Sequence, residues 1–464
     1  MEKVIMKEVK RQGELALPLI LANFLIFTIQ LMSVISVGHI NHEKLAGASM
    51  AISIVNAIGF SVLMGVSSAL DTLCGQSFGA KQHNMVGLHM QRAMIIIVLV
   101  SIPLAIILAF SGRILVLLDQ DPDISMAAQT YIHYMIPSLF AYGLLQCIFK
   151  FLQAQNIVLP IMLSSGITAL FHGVSCWTFT YKTSLGYRGA AVSVSAAYWF
   201  NLVLLMIYVG LSPLCKETWS GFSKEAFNGL IGFLKLGIPS TFMVCLQNWQ
   251  FELLLILSGL LANPKLQTSL MSISQNISSL VYTIPIGVSA AVSTRVSNEL
   301  GAENPRAAKL AILTAASTVI TEGLIVGLAM IAGRNIWGHA YSNETQVVNA
   351  IASMMPWIAL SHCIDGLQCV LLGTIRGCGR QKIGAFVCLC SYYMVGIPAS
   401  ILIGFVFNKK VKGLWIGNIC AIVVQNVVLL VITVFTNWEE QVSSLLRICL
   451  FIRLKLNLNR DFFY

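Results

Sequence analysis

Charge is the scarcest resource in this chain. Of its 464 residues only 10% are Asp, Glu, Lys or Arg, while 57% are hydrophobic; an ordinary soluble domain carries roughly 25% charged residues. So little charge cannot cover a water-facing surface, which excludes a soluble enzyme and makes lipid the solvent. Metal chemistry is excluded next. Among 12 cysteines the only close pair is Cys388 and Cys390, with no histidine at ligand spacing. Cys147, Cys176, Cys245 and Cys420 lie inside apolar runs, where cysteine acts as a small hydrophobe rather than a disulfide or zinc ligand. A basic patch is also missing. The net charge is +10, but the cations stand singly between apolar runs, which suits loops facing an anionic leaflet and not a nucleic-acid groove. No cleavable leader is read, because the first apolar run, 15–37, is long enough to span.

Hydrophobic runs are what the chain has in quantity. Segments able to cross ~30 Å of hydrocarbon fall at about 15–37, 50–73, 92–111, 131–149, 157–180 and 189–211, then at 237–261, 270–292, 310–333, 350–372, 383–407 and 413–436. The polar break at 212–236, with Lys216, Glu217, Lys224, Glu225 and Lys235, divides them into two sets of six. The expected fold is an all-α integral membrane protein of twelve transmembrane helices in two pseudo-symmetric six-helix lobes. Its parts are a cytoplasmic N-terminus (1–14), an N-lobe (15–211), a cytoplasmic linker (212–236), a C-lobe (237–436) and a cytoplasmic tail (437–464). With the N-terminus inside, 20 of the 29 Lys and Arg residues fall on the cytoplasmic side, as the positive-inside rule requires. Lys409, Lys410 and Lys412 go against it.

The halves repeat. Pro18 is answered by Pro239, Gly79-Ala80 by Gly301-Ala302, Leu145-Gln146-Cys147 by Leu367-Gln368-Cys369, and Arg188-Gly189 by Lys412-Gly413, all at an offset near 222. A duplicated unit of six helices enters the membrane the same way up twice, placing a cavity between the copies near the midplane.

Acidic residues inside the spans are few: Asp71, Glu252, Glu322 and Asp365. A carboxylate at the bilayer centre costs about 2.5–3.5 kcal/mol on insertion scales, so one kept there points to function. Asp365 lies mid-span, and Ser361, Asp365 and Gln368 form a stripe at i, i+4, i+7. Glu252 follows Gln247, Asn248 and Gln250. The eighth span adds Ser272, Gln275, Asn276, Ser279, Tyr282 and Thr283. Three such stripes indicate a water-accessible cavity, against the plainer reading of polar groups bonding helices together. Gln30 and Asn56 are taken as its first-lobe lining. Gly143 occupies the first-lobe position equivalent to Asp365, and the position equivalent to Glu252 is about Gln30, so the carboxylates belong to the second lobe alone. A carboxyl group removed from water binds its proton more tightly. Such a group can exchange a proton for an organic cation. Asp71 is read as structural, pairing a loop cation or capping a helix, and Glu322 has no assigned role. His172 and His362 are read as packed, although His362, three residues before Asp365, could share its proton. Asn343-Glu344-Thr345 is a glycosylation sequon in an expected outer loop.

Longer motifs carry a resemblance. Asp71-Thr72-Leu73-Cys74-Gly75-Gln76-Ser77-Phe78-Gly79-Ala80 within 68–82, His89-Met90-Gln91-Arg92-Ala93, Pro264-Lys265-Leu266-Gln267-Thr268-Ser269, Thr294-Arg295-Val296-Ser297-Asn298-Glu299-Leu300-Gly301-Ala302 and Gly377-Cys378-Gly379-Arg380-Gln381 are similar to the plant branch of the multidrug and toxic compound extrusion (MATE) family. The resemblance covers about 10–438. It implies two six-helix lobes and export of organic cations, flavonoids, alkaloids or organic acids against a proton gradient. It also assigns proton coupling to the acids of the seventh and tenth helices, here Glu252 and Asp365. Members of the family commonly carry two glutamates five apart in the seventh helix; here Gln247 replaces the first. The tail departs as well, since 445–458 alternates apolar residues with Arg447, Arg453 and Lys455 and suits an amphipathic segment on the leaflet.

The resulting expectation is a monomeric proton-coupled antiporter of the plasma or vacuolar membrane. It binds small organic substrates, protons and lipid, but no nucleic acid, and draws on a proton gradient with no bound cofactor. The alternatives are a flippase for an amphiphilic or lipid-linked substrate and a membrane scaffold impaired in transport. An intramembrane enzyme is disfavoured, because His362 and Asp365 have no nucleophile or metal set to complete them.

Overall fold

The computed structural model describes residues 2–40, 42–117, 120–339 and 344–441. The sequon asparagine Asn343 and the 445–458 segment lie outside the described residues. Among the described residues, twelve helices are long and apolar enough to span a membrane. They are α1 (Glu2–Gly38), α2 (Lys44–Gly79), α3 (His83–Ala109), α4 (Pro122–Ala154), α5 (Leu159–Tyr181), α6 (Tyr187–Leu211), α7 (Leu230–Gly259), α8 (Pro264–Gly301), α9 (Pro305–Ala332), α10 (Thr345–Gly377), α11 (Gln381–Val406) and α12 (Lys410–Val434). Each apolar run becomes one helix, usually extended by several polar residues. Proline opens many of them, at Pro122, Pro160, Pro264 and Pro305, where its missing N–H costs nothing. Asp121 and Asn304 cap two of these starts, accepting from the backbone at Asp123 and Ile124, and at Ala307.

The duplication is structural. In the first lobe α4 packs on α2, α3 and α6, α5 on α1 and α6, and α2 on α3. The second lobe repeats every one of these pairings with α10, α8, α9, α12, α7 and α11. Even turn conformations recur: Lys81 and Glu303, 222 apart, both take left-handed φ values, 57° and 59°. The lobes meet along α1–α8 and α2–α7, two contacts that exchange under the internal symmetry, and α2 crosses α8 between them.

That crossing explains the Gly-Ala repeat. A Cβ on Gly79 would strike the carbonyl oxygen of Asn298, and one on Gly301 would strike that of Gln76. Each glycine leaves room for the other helix's backbone, as small residues do where helices approach closely in membranes. Residues 2–14, read from the sequence as a polar terminus, continue α1 instead. Glu8 and Gln12 are buried there, because this turn of the helix docks on α8 and α9 of the other lobe.

Cores differ between lobes. One continuous apolar cluster fills the first lobe and runs on into the second through Val292, Val296, Ile312 and Val319. In the second, Leu254, Met271, Ile358 and Trp415 belong to one cluster, and Met243, Leu371, Ile375 and Ile422 to another. On α10 the gap between them is occupied by residues 361–368, so a polar layer cuts across the second lobe.

Gly301→Val or Gly79→Val forces backbone from backbone at the crossing. Overpacking of this kind costs about 1–3 kcal/mol. Both variants are expected to unfold at lower temperature in detergent and to lose transport, while Gly210→Val, at an open position, matches the parent. Equal melting of all three would refute the crossing's importance.

Candidate transport site

The polar layer is built around Asp365 of α10, which is 6% exposed. Its carboxyl group lies within electrostatic range of His362, one turn earlier, of Tyr282 on α8 and of Tyr392 on α11. Amides and hydroxyls surround it. Gln368 donates to the Tyr392 hydroxyl at 2.5 Å and to Gln425 Oε1 at 2.9 Å, and Gln425 donates to the sulfur of Cys388 at 3.1 Å. Gln247 also lies beside the Tyr392 hydroxyl. One level away, Gln250 donates to Asn418 at 2.9 Å and Trp415 Nε1 donates to Ser361 at 3.2 Å. Tyr392 sits in a π-helical stretch, Cys390–Gly396, within α11. Such widened turns often occur at functional sites because they shift a side chain out of the regular helical register.

The two acids expected to cooperate stand on different surfaces. On α7, residues five apart point about 140° from each other at 3.6 residues per turn. Gln247 and Gln250 therefore face α11 and α12. Cys245, Trp249 and Glu252 face the first lobe: Cys245 meets Ser61 at 3.6 Å, and Trp249 donates to the carbonyl of Ala57 at 2.8 Å. Glu252, half-buried, continues that stripe toward the N-terminal end of α2, with exposed Asn248 beside it. Glu252 and Asn248 thus line the gap between lobes, whereas Asp365 is enclosed within the second.

The remaining expected residues separate likewise. Tyr282, Ser361 and Gln368 belong to the polar layer. Gln275 instead ties α8 to α7 through the carbonyl of Phe251, at 2.7 Å. Asn276 is exposed on the stripe of α8 that carries Gly287, which abuts Ile20 of α1. Gln30 and Asn56 satisfy each other reciprocally, both bonds 3.1 Å, within the first lobe. His172 is packed as expected, held by Ser33 at 3.1 Å and Ser193 at 3.0 Å.

At the face carrying the N-terminus the lobes are clamped together. Asp71, its side chain 2% exposed, pairs with Lys150 of α4 at 2.9 Å and Arg376 of α10 at 3.6 Å. Its partners come from neighbouring helices of both lobes. Thr72 donates to the carbonyl of Arg376, Gln76 to that of Gly377 at 3.1 Å, and Asn298 to that of Ala154 at 3.1 Å. Gln153 bonds Thr294 at 2.9 Å. Arg295 grips both carboxylate oxygens of Glu8, each at 3.0 Å, and Glu299 at 2.7 Å. Sequence reading missed this clamp, apart from Asp71. The available signals were Glu8 and Gln12, four apart on one helical face, and an arginine inside an otherwise small-residue run at 293–297.

Two six-helix lobes, clamped at one face and walled by polar side chains where they part, define a multi-pass membrane transporter, not an enzyme. The model of the MatE family matches residues 18–178 and 239–402, one match in each lobe. The chain belongs to that family of multidrug and toxic compound efflux transporters. It is 51% identical over 440 residues to Protein DETOXIFICATION 16 of Arabidopsis thaliana, covering 95% of this chain and 90% of that one. Protein DETOXIFICATION 14 of the same plant is 40% identical over 436 residues, covering 94% and 90%. The crystal structure of the eukaryotic MATE transporter AtDTX14 superposes with a TM-score of 0.92 at 40% identity, covering 95% and 98%. The Vibrio cholerae MATE transporter VcmN in its bent form shares the fold, with a TM-score of 0.79 at 14% identity and coverage of 95% and 98%.

Breaking one side of a buried ion pair leaves an uncompensated charge and costs about 3–5 kcal/mol. Asp71→Asn and Lys150→Met are each expected to lower the unfolding temperature, and the double variant to recover part of the loss. Strictly additive losses would show that the pair contributes no coupling.

Proposed function

We propose that this protein is a proton-coupled antiporter that exports organic cations and related secondary metabolites or xenobiotics by alternating access. It works as a monomer in the plasma or vacuolar membrane, with the N-terminus in the cytoplasm and a proton gradient as its sole energy source. The observation that carries this reading is the setting of Asp365. The hydroxyls of Tyr282 and Tyr392 and the ring of His362 lie within electrostatic range of its carboxyl group. When protonated, the group is neutral and tolerates a closed, dry layer. When ionised, it favours a cation or access to water. The two states therefore bias which side of the lobes is open, and the clamp of Asp71, Lys150, Arg376, Glu8 and Arg295 holds the cytoplasmic side shut in the form described. Glu252, with Asn248 on the cleft wall, is the second acid of the exchange and the first ground for an incoming cation. Gln30, Asn56, Gln275 and Asn276 complete the polar lining, and Tyr282, Ser361, Gln368 and Gln247 shape the layer around Asp365.

Ethidium uptake into inside-out vesicles with an imposed pH gradient tests the reading. Asp365→Asn is expected to abolish gradient-driven uptake while folding and membrane insertion persist. Undiminished uptake would remove Asp365 from the coupling. Gln247→Glu places a second titratable group beside Tyr392 and is expected to change the pH dependence of uptake. An identical pH profile would mean that this position carries no share of the proton traffic.

A further inference from the structure

Glu322 is an acid in the middle of a spanning helix that the exchange as described does not use. On α9 it reaches across to α10, where its Oε1 lies 3.0 Å from Nε2 of His362, while its Oε2 is buried without a hydrogen-bond partner. His362 is itself almost fully buried and precedes Asp365 by three residues, which places the two side chains on adjacent positions of one helical face. On its other side Glu322 borders a shallow groove of about 460 Å³, shared with Ser317, Thr318, Thr321, Ile325 and Val326. The three hydroxyls there donate to backbone carbonyls of their own helix, within one turn, so their lone pairs are left facing the groove. Glu322 and these hydroxyls thus give a polar edge to a groove that is otherwise walled mainly by apolar side chains.

We infer that Glu322 and His362 form a proton relay that joins the α9 groove to Asp365, so that protons reach the coupling acid from the side and not through the substrate cleft. The inference rests on the antiport reading above. The step balances as follows. The carboxyl proton of Glu322 passes to Nε2 of His362, and the Nδ1 proton of the same ring passes to the carboxylate of Asp365. Glu322 ends ionised, Asp365 neutral, and the imidazole neutral in its other tautomer; deprotonation of Asp365 runs the sequence backwards. The other titratable groups around the relay are Tyr282 on α8, Cys363 and Cys369 on α10, and Tyr392 with Cys388 on α11. The cation Arg376 lies further along α10 and is engaged by Asp71 and Ser289. Tyrosine and cysteine release protons only at alkaline pH in water, and less readily when buried. The Glu–His–Asp series is the set that leads from the groove to the layer. Separate routes have a consequence: substrate can occupy the cleft while the proton moves.

Two assays in the same vesicles decide the matter. One is ethidium uptake driven by a pH gradient. The other is exchange of ethidium across the membrane with no gradient, which needs no net proton movement. Glu322→Gln and His362→Gln keep a hydrogen-bonding side chain but cannot relay. Each is expected to slow gradient-driven uptake by about a hundredfold, the size of a lost proton-transfer step, while exchange and the melting temperature stay near those of the parent. Glu322→Asp retains the acid but shortens its reach, and is expected to fall between, with an altered pH profile. Parallel loss of both transport modes together with a lower melting temperature would make the pair structural and overturn the relay. Unchanged gradient-driven uptake in both glutamine variants, with Asp365→Asn inactive, would overturn the relay and leave the antiport reading standing. If Asp365→Asn itself responds normally to the gradient, the antiport reading fails and the relay to Asp365 falls with it.

Discussion

A chain dissolved in hydrocarbon has no water with which to satisfy its polar groups, and every feature that distinguishes the two lobes follows from that constraint. Amide and hydroxyl side chains in the second lobe cannot be left singly among leucines, so they gather in one layer: Gln247, Gln250, Gln368, Tyr392, Asn418 and Gln425 each find a partner there or nearby. The layer divides the apolar core of that lobe in two. Asp365 is tolerated only because it lies within the layer. The first lobe, with Gly143 at the corresponding place, lies within one continuous apolar cluster and holds its polar groups in local sets such as Gln30 with Asn56 and His172 with Ser33 and Ser193. Two copies of one scaffold thus divide the labour: one is rigid packing, the other carries a titratable centre.

The same constraint shapes the clamped face. Asp71, Lys150 and Arg376 are buried ions, and buried ions contribute little to net stability once desolvation is counted. Their value lies in position. Asp71 with Lys150 ties α2 to α4 inside the first lobe, while Asp71 with Arg376 and Glu8 with Arg295 bridge the lobes beside the crossing where Gly79 and Gly301 let α2 and α8 touch. Opening this face exposes all the ions to water at once, which restores their hydration.

Much of this was legible beforehand, and the limits have physical causes. Spans are read easily because eighteen or more apolar residues in succession have one interpretation, and the prolines that open α4, α5, α8 and α9 mark their starts. Asp365 is legible because its polar stripe repeats at helical spacing. The first fourteen residues misled for the opposite reason: a charged stretch resembles a solvated tail, and only the docking of Glu8 on Arg295, 287 residues away in sequence, reveals a buried helical turn. Tyr392 was invisible, since a tyrosine in an apolar helix looks like packing until a π-helical turn shifts it toward Gln368. Grouping Glu252 with Gln247 overlooked the 100° advance per residue, which sends them to different surfaces.

Glu322 was the acid with no reading, and the reason it had none is instructive. Its partner lies on the next helix, and the register between α9 and α10 is set by close packing at Gly323 and Gly327 against Cys363 and Ala359, a feature no periodicity encodes. Once that register is known, the acid ceases to be an isolated expense. Glu322, His362 and Asp365 become three titratable groups in series, leading from a groove on the outer side of α9 to the interior layer. Gln247 cannot titrate, so the layer itself holds a single carboxyl group. A carrier with one internal acid gains from a second, reachable acid that can supply or take up its proton while the cleft is occupied. On the relay reading that acid is Glu322 on α9, behind a histidine, while Glu252 on α7 stands at the cleft.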